Sequence, residues 1–403
     1  MKHFEVAVIG GGLAGMVAAI ALARGGRSVA LIAPPAATGD RRTTALMDQS
    51  IRFLERLTLW EKLKPETSPL KSMRIIDGTH RLLRAPTTTF RSVEVGLDAF
   101  GYNFPNKALT DVLEAAVAIE GNIKRFTAFA DSIDIGENAV SIMLAGGEML
   151  SADFAVGADG RKSKLREKAG IGARNWSYPQ SAMVLNFSHS LPHENTSTEF
   201  HTERGPFTQV PLRGNRSSLV WVQNPSDAAA GLELSLAELS NVVEERMQSL
   251  LGKVSVEEGV QIWPLSGMMA HRFGKGRMAL IGEAAHVFPP IGAQGLNLSL
   301  RDIMALTDIL CDRAELPIPA DSGDRFDRRR RADIMTRTVS VDLLNRSLLS
   351  GFLPVQMLRA AGLHILSAFP PLRSVVMREG IEPGRGLRDI PTALLEKFSR
   401  KKG

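Results

Sequence analysis

Four short apolar runs punctuate the chain: Val6-Ala7-Val8-Ile9, Val29-Ala30-Leu31-Ile32, Phe154-Ala155-Val156 and Met278-Ala279-Leu280-Ile281. Each is continuous rather than alternating, as in strands buried on both faces. Between the first two lies an Ala- and Leu-rich stretch, 13–23, which reads as a helix stopped by Gly25-Gly26. Strand, glycine turn, helix and strand make the opening half of a nucleotide-binding βαβ unit. Apolar residues at Ile51, Leu54, Leu57 and Trp60 predict a helix over 48–63. Further helices are expected over 108–118 and from about 298 to 310, and residues 128–150, broken by Gly136 and Gly146-Gly147, read as hairpins.

From 177 to 264 the pattern changes. Short β-rich runs at 182–187, 207–211 and 218–223 are separated by turn residues, with one helix expected over 236–250. The expected organisation is an α/β Rossmann-type domain assembled from 1–70, 101–176 and 265–330. A second domain, an antiparallel sheet, comprises 71–100 and 177–264, and a helical region covers 331–403.

Composition adds little. The 403 residues are 44% apolar and 23% charged, which excludes disordered and collagen-like chains. A single cysteine, Cys311, excludes an internal disulfide and a Cys-based metal cage. The net charge of +6 permits anionic ligands or headgroups without requiring nucleic acid. The opening residues lack the continuous apolar stretch of a secretory signal, because Gly10-Gly11-Gly12 interrupts it.

The candidate chemistry lies in three loops, each following a buried run. Gly10-Gly11-Gly12-Leu13-Ala14-Gly15 fits G-x-G-x-x-G. Gly10 permits the sharp turn, Gly12 the close approach of a pyrophosphate, and Gly15 the packing of helix on strand, while the helix N-terminus offers N–H groups to the phosphates. The acid that ordinarily ends the second strand is replaced by Ala33-Pro34-Pro35, and the nearest one is Asp40. Either backbone and water hold the adenosine ribose, or Asp40 or Arg42 reaches it. The second loop is Gly157-Ala158-Asp159-Gly160-Arg161. The third runs Gly282-Glu283-Ala284-Ala285-His286, then Pro289-Pro290-Ile291-Gly292-Ala293-Gln294-Gly295-Leu296-Asn297.

In this order and spacing, the three loops resemble those of the single-component FAD-dependent aromatic hydroxylases. The stretch from His286 to Arg301-Asp302, with Thr43-Thr44-Ala45-Leu46 and Met377-Arg378-Glu379-Gly380, is most similar to the ubiquinone-biosynthesis hydroxylase subgroup. The resemblance implies a para-hydroxybenzoate-hydroxylase-like fold with FAD as cofactor and NAD(P)H as reductant. O₂ adds at the reduced flavin, and the resulting hydroperoxide delivers one oxygen to the ring of a polyprenylated phenol or quinone precursor. Asp159 and Gly160 match a loop serving FAD and the nicotinamide donor. Gly282 and Glu283 match a Gly-Asp loop that binds the ribityl hydroxyls, with Glu in place of Asp, and Gly292-Ala293 reverses the commoner order. Arg42 and Asn106 match FAD-contacting positions. Read from the residues themselves, Gln294-Gly295-Leu296-Asn297 opens a helix whose amides face the flavin edge where negative charge develops on reduction. A prenyl-lipid reductase and a non-catalytic flavin scaffold of a biosynthetic complex are the alternatives.

His286 is either a proton relay or a satisfied structural residue, and Pro290 shapes the flavin pocket; both are pocket candidates. The eight histidines show no metal-binding spacing. Arg328 to Arg331, with no aromatic residue among them, read as a solvated helix face. The apolar run 348–369 precedes residues 372–403, which carry eight Lys/Arg against four Asp/Glu. Such a pair of segments suits docking on a membrane surface or a partner complex. The expected location is cytoplasmic, peripheral on the inner face of the membrane.

Overall fold

The computed structural model describes residues 1–34, 40–79, 85–289, 294–311 and 317–349. Its first sheet has eight strands. Along the main path the order is Gly274–Lys275, Met278–Leu280, Met149–Gly157, Lys2–Ile9, Val29–Ile32 and Ile123–Phe126. The central four pairings are parallel and only the Gly274–Lys275 edge is antiparallel. Met149–Gly157 also carries the expected hairpins, pairing with Val140–Leu144, which pairs with Ala130–Ile135. Val6, Val8, Val29, Leu31, Phe154 and Val156 are almost wholly buried. Each such side chain contributes roughly 1.5–3 kcal/mol on burial, which fixes the sheet as the centre of this part.

Helix Leu13–Arg24 is buried over nine of its twelve residues, four of them Ala and one Gly. Small side chains let it lie close both to the sheet and to helices Asn106–Ile119 and Gln294–Cys311. The helix expected over 48–63 is instead two pieces, Asp48–Arg56 and Trp60–Leu63. Thr58 between them has a left-handed backbone, φ 47°. The Arg24 guanidinium donates to the Leu57 carbonyl and the Thr58 hydroxyl there, so the break is satisfied by a residue distant in sequence. Helix Gln294–Cys311 starts earlier than its apolar pattern indicates.

The second sheet has nine strands, with Gln261–Ala270, Ala173–His189, Arg216–Gln223, Gly205–Leu212, Thr196–Thr202 and Ser72–Asp77 in succession. It is antiparallel apart from one parallel pairing, Thr196–Thr202 with Ser72–Asp77. Helix Leu236–Arg246, capped by Ser235 and Glu238 in a reciprocal capping box, covers one face of it. A three-stranded sheet of Thr43–Met47, Gly101–Pro105 and Ser68–Leu70 lies between the two large sheets, with Asn103 donating to the Pro211 carbonyl at 2.9 Å.

Helix Ser322–Leu349 follows. Arg330 on it is 5% exposed, so the four arginines are not one solvated face. Its charge is matched by Asp302 inside the protein, which overrides the polar pattern. No helix among the described residues is long and apolar enough to cross a membrane. Of the apolar run and basic stretch that end the chain, all beyond 349 lies outside the described residues, as do Pro290 and Gly292-Ala293.

Candidate flavin site

The three loops meet because the strands before them are neighbours in register. Ile9 is opposed to Gly157 and Gly157 to Leu280, all running the same way. Their C-terminal ends therefore open side by side, where ligands bind in open parallel sheets. The Ala158 amide donates to the Ile9 carbonyl at 2.8 Å, and the Ile281 amide to the Gly157 carbonyl at 2.9 Å.

The glycines of the first loop differ in what surrounds them. Gly10 has φ 121°, and a Cβ there would fall 2.1 Å from the Ala158 carbonyl oxygen. A Cβ on Gly15 would lie 2.0 Å from the Gly10 oxygen. A Cβ on Gly12 would meet nothing within 4 Å. Gly12 caps helix Leu13–Arg24 without a side-chain hydrogen bond, so the first-turn amides of Leu13, Ala14 and Gly15 face this open space. That is a cradle for an anion. Gly282, φ 58°, brings the third loop against Ala14 and Ser299: a Cβ there would lie 3.3 Å from the Ala14 Cβ and 3.4 Å from the Ser299 hydroxyl oxygen.

Helix Lys164–Lys168 is capped by Ser163, and Asp159 Oδ2 accepts from its first amide, that of Lys164, at 2.7 Å. The Asp159 Oδ1 is buried and has no hydrogen-bond partner among the described residues. A buried acceptor of this kind calls for a donor from a ligand or water. Gly160 beside it has φ 80° and open space above its Cα. Glu283, half exposed, pairs with Arg161 Nε at 3.0 Å, and Arg161 Nη1 donates to Ser266 at 2.9 Å. Arg161 is a site residue that the loop motif did not single out. The open acceptor, the bare helix terminus and the space over Gly12 fit a dinucleotide.

Arg42 and Asn106 are joined by Asp40. Arg42 binds the Asp40 carboxylate through Nε and Nη2 at 2.9 and 2.8 Å, and Asn106 Nδ2 donates to Asp40 at 3.0 Å. Burial works against ionisation of Asp40, but these hydrogen bonds outweigh it and hold the carboxyl below its ordinary range. The Asp40 oxygens are thus engaged by protein.

Gln294, Gly295, Leu296 and Asn297 form the first turn of helix Gln294–Cys311. The Asn297 side chain is turned to structure. Its Oδ1 accepts from the Met47 amide at 2.9 Å and the Ser50 hydroxyl at 2.7 Å, and its Nδ2 donates to the Ala45 carbonyl at 2.8 Å. It locks strand Thr43–Met47 to helix Gln294–Cys311, leaving the backbone as that turn's offering to a ligand.

His286 is buried, with Nε2 2.6 Å from Asp302 Oδ2. Arg330 Nε donates to the other Asp302 oxygen at 2.8 Å, and Asp333 accepts from Arg330 and Arg301. Desolvation opposes the charge of Asp302, yet His286 and Arg330 outweigh it and keep the carboxyl below the usual range. This is the satisfied structural histidine of the two alternatives. The network ties the third loop to the last described helix. Only the spacing of His286 and Arg301-Asp302 hinted at it.

With the family and relatives it matches, a parallel sheet with three glycine loops at adjoining strand ends, beside a second sheet, marks the chain as an FAD-dependent monooxygenase. The chain belongs to the FAD binding domain family, whose model matches residues 3–316. It is 32% identical to the ubiquinone hydroxylase UbiL of Rhodospirillum rubrum, over 97% of this chain and 94% of that protein. It is 28% identical to the 3-demethoxyubiquinol 3-hydroxylase of Escherichia coli, over 89% and 93%. Among solved structures, p-nitrophenol 4-monooxygenase PnpA from Pseudomonas putida shares the fold, with TM-score 0.76, 18% identity, and coverage of 96% and 99%.

Proposed function

We propose that the protein hydroxylates the aromatic ring of a polyprenylated phenol precursor in ubiquinone biosynthesis, with NAD(P)H and O₂ as co-substrates. The observation that carries this is the convergence of the three glycine loops on one open edge of the parallel sheet. Full-length likeness to ubiquinone hydroxylases supports the substrate class. FAD, when bound, supplies the reduction by NAD(P)H and the activation of O₂.

The chain's own residues bind and orient. The amides of Leu13, Ala14 and Gly15 hold the pyrophosphate at the positive helix end. Asp159 and Glu283 accept from hydroxyls, with Arg161 fixing Glu283. The first turn at 294–297 places its amides where negative charge gathers on the cofactor. The first sheet and its helices form the flavin lobe, and the second sheet the substrate lobe. The terminal residues beyond 349 bring the enzyme to a membrane surface or a membrane-bound partner, since a polyprenyl chain does not cross water freely.

A deletion strain tests the reading. The intermediate that accumulates should lack one ring oxygen relative to the normal downstream compound, by mass spectrometry. An intermediate differing by two hydrogens would indicate a reductase instead.

A further inference from the structure

One face of the nine-stranded sheet carries, among the described residues, a row that is only partly covered. Directly opposed residues in neighbouring strands point to the same face. Away from helix Leu236–Arg246, one row across the strands runs Gln261, Val184, Val220, Thr208, Glu199 and Ile75. All six are partly exposed. Beneath them Met183, Leu219, Phe207 and Phe200 are buried with Leu239 and Val243 of the covering helix. The row is a partly exposed strip between buried neighbours on the same face, Ala182 and Val222 to one side and Ser218 to the other.

Its position ties it to the flavin site. In the adjoining row Asn186 and Ser218 are opposed, and segment 41–43 runs over them: Asn186 Nδ2 donates to the Arg41 carbonyl at 3.3 Å, and the Thr43 hydroxyl to Ser218 at 2.9 Å. At the Gln261 end the Arg42 guanidinium lies 5.2 Å from the Trp263 ring. The same segment is held by Asn297 through Ala45.

The strip is apolar at Val184 and Val220 and polar beyond. Glu199 Oε1 lies 2.7 Å from His201 Nε2, and the Thr208 hydroxyl donates to Glu199 Oε2 at 3.2 Å. The side chains are 9% exposed at His201 and 25% at Glu199. With the carboxylate as acceptor, Nε2 carries the hydrogen and Nδ1 is left as a base. Among the described residues Nδ1 has no hydrogen-bond partner. Asp77 is opposed to His201 on the next strand, but its oxygens accept from Thr79 and from the Ala85 amide. The flavin loops use neither His201 nor Glu199.

We propose that His201, backed by Glu199, is the base that accepts the proton of the substrate's ring hydroxyl. The inference rests on the ring hydroxylation proposed above. The O–H bond breaks, the proton passes to His201 Nδ1, and the electron pair stays on the ring oxygen, enriching the ring carbons that receive oxygen. The proton returns when the product phenol leaves. Glu199 steadies the imidazolium, as a carboxylate does behind a catalytic histidine. An imidazole is a weaker base than a phenolate, so the transfer is worth most in step with attack on the ring.

The test uses full-length, FAD-loaded protein with a short-chain prenylated phenol and its ring-fluorinated, more acidic analogue. His201→Gln should lower kcat for the ordinary phenol by about 100-fold or more and for the fluorinated one by at most about tenfold. Glu199→Gln should show the same ordering with smaller losses. KM and FAD content should hardly move in either variant. Equal losses on both phenols, a loss confined to KM, or undiminished kcat would overturn the assignment. A wild-type enzyme that holds FAD yet oxygenates neither phenol fails at the level of the proposed function and removes this step with it. The wild-type arm alone separates that case from a failure of the base.

Discussion

Three glycines within six residues do different work. At Gly10 and Gly15 a side chain collides with backbone oxygen, whereas at Gly12 it enters open space. Gly15→Val should therefore disrupt folding, seen as loss of soluble protein or a large fall in Tm. Gly12→Val should leave secondary structure by circular dichroism intact while the purified protein loses its yellow colour. Full FAD occupancy in Gly12→Val would show that the pyrophosphate lies elsewhere. Glu283 belongs to the same scale. Removing its carboxylate leaves ligand hydroxyls short of an acceptor at a cost of roughly 1–3 kcal/mol, a tenfold or larger rise in the Kd for FAD by titration. Unchanged affinity for Glu283→Ala would confine the residue to its pair with Arg161. These loop positions were legible in the sequence because a strand-to-helix turn against a phosphate leaves few residue choices.

At the scale of elements, the apolar runs located four of the five parallel strands, since burial on both faces leaves an unbroken hydrophobic signature, whereas the edge strand Ile123–Phe126, with two basic residues in four, leaves none. Charge pairing leaves no such period. Asp302 meets His286 across 16 residues and Arg330 across 28, so the polar look of helix Ser322–Leu349 hid a buried contact. The Glu199–His201 pair was equally silent, being visible only once strand register put Thr208 beside it. Replacing Arg330 with Met would leave Asp302 underpaired inside the protein. The expected cost is about 3–5 kcal/mol, read from urea unfolding. Because folding depresses the Asp302 pKa, its contribution is present above the ordinary carboxylate value of 3.8 and is lost as pH falls through the lower folded value. Asp302→Asn should accordingly be less stable than wild type at neutral pH and show a shallower further loss during acid titration. Parallel acid limbs for the two proteins would remove Asp302 from the pH response.

For the whole molecule, two sheets of different construction stand side by side, with segment 41–43 bonded to the second of them through Arg41 and Thr43. The two sheets were readable from the switch between continuous and alternating apolar runs. The single parallel pairing of Thr196–Thr202 with Ser72–Asp77 was not, because it joins strands far apart in sequence. A substrate with a long apolar tail predicts membrane contact. Full-length protein should bind anionic liposomes at low salt and release from them as salt rises, exposed charges being screened over about 8 Å at physiological ionic strength. A chain truncated after Arg346 should lose that binding and keep FAD. Failure of the full-length protein to bind would leave a partner protein as the source of substrate. The central claim, that the chain oxygenates a prenylated phenol, is tested most directly with isotopically labelled O₂. Purified enzyme with NAD(P)H and a prenylated phenol should give a product one oxygen heavier that carries a single labelled atom. Label entering from water, or a product without added oxygen, would contradict it.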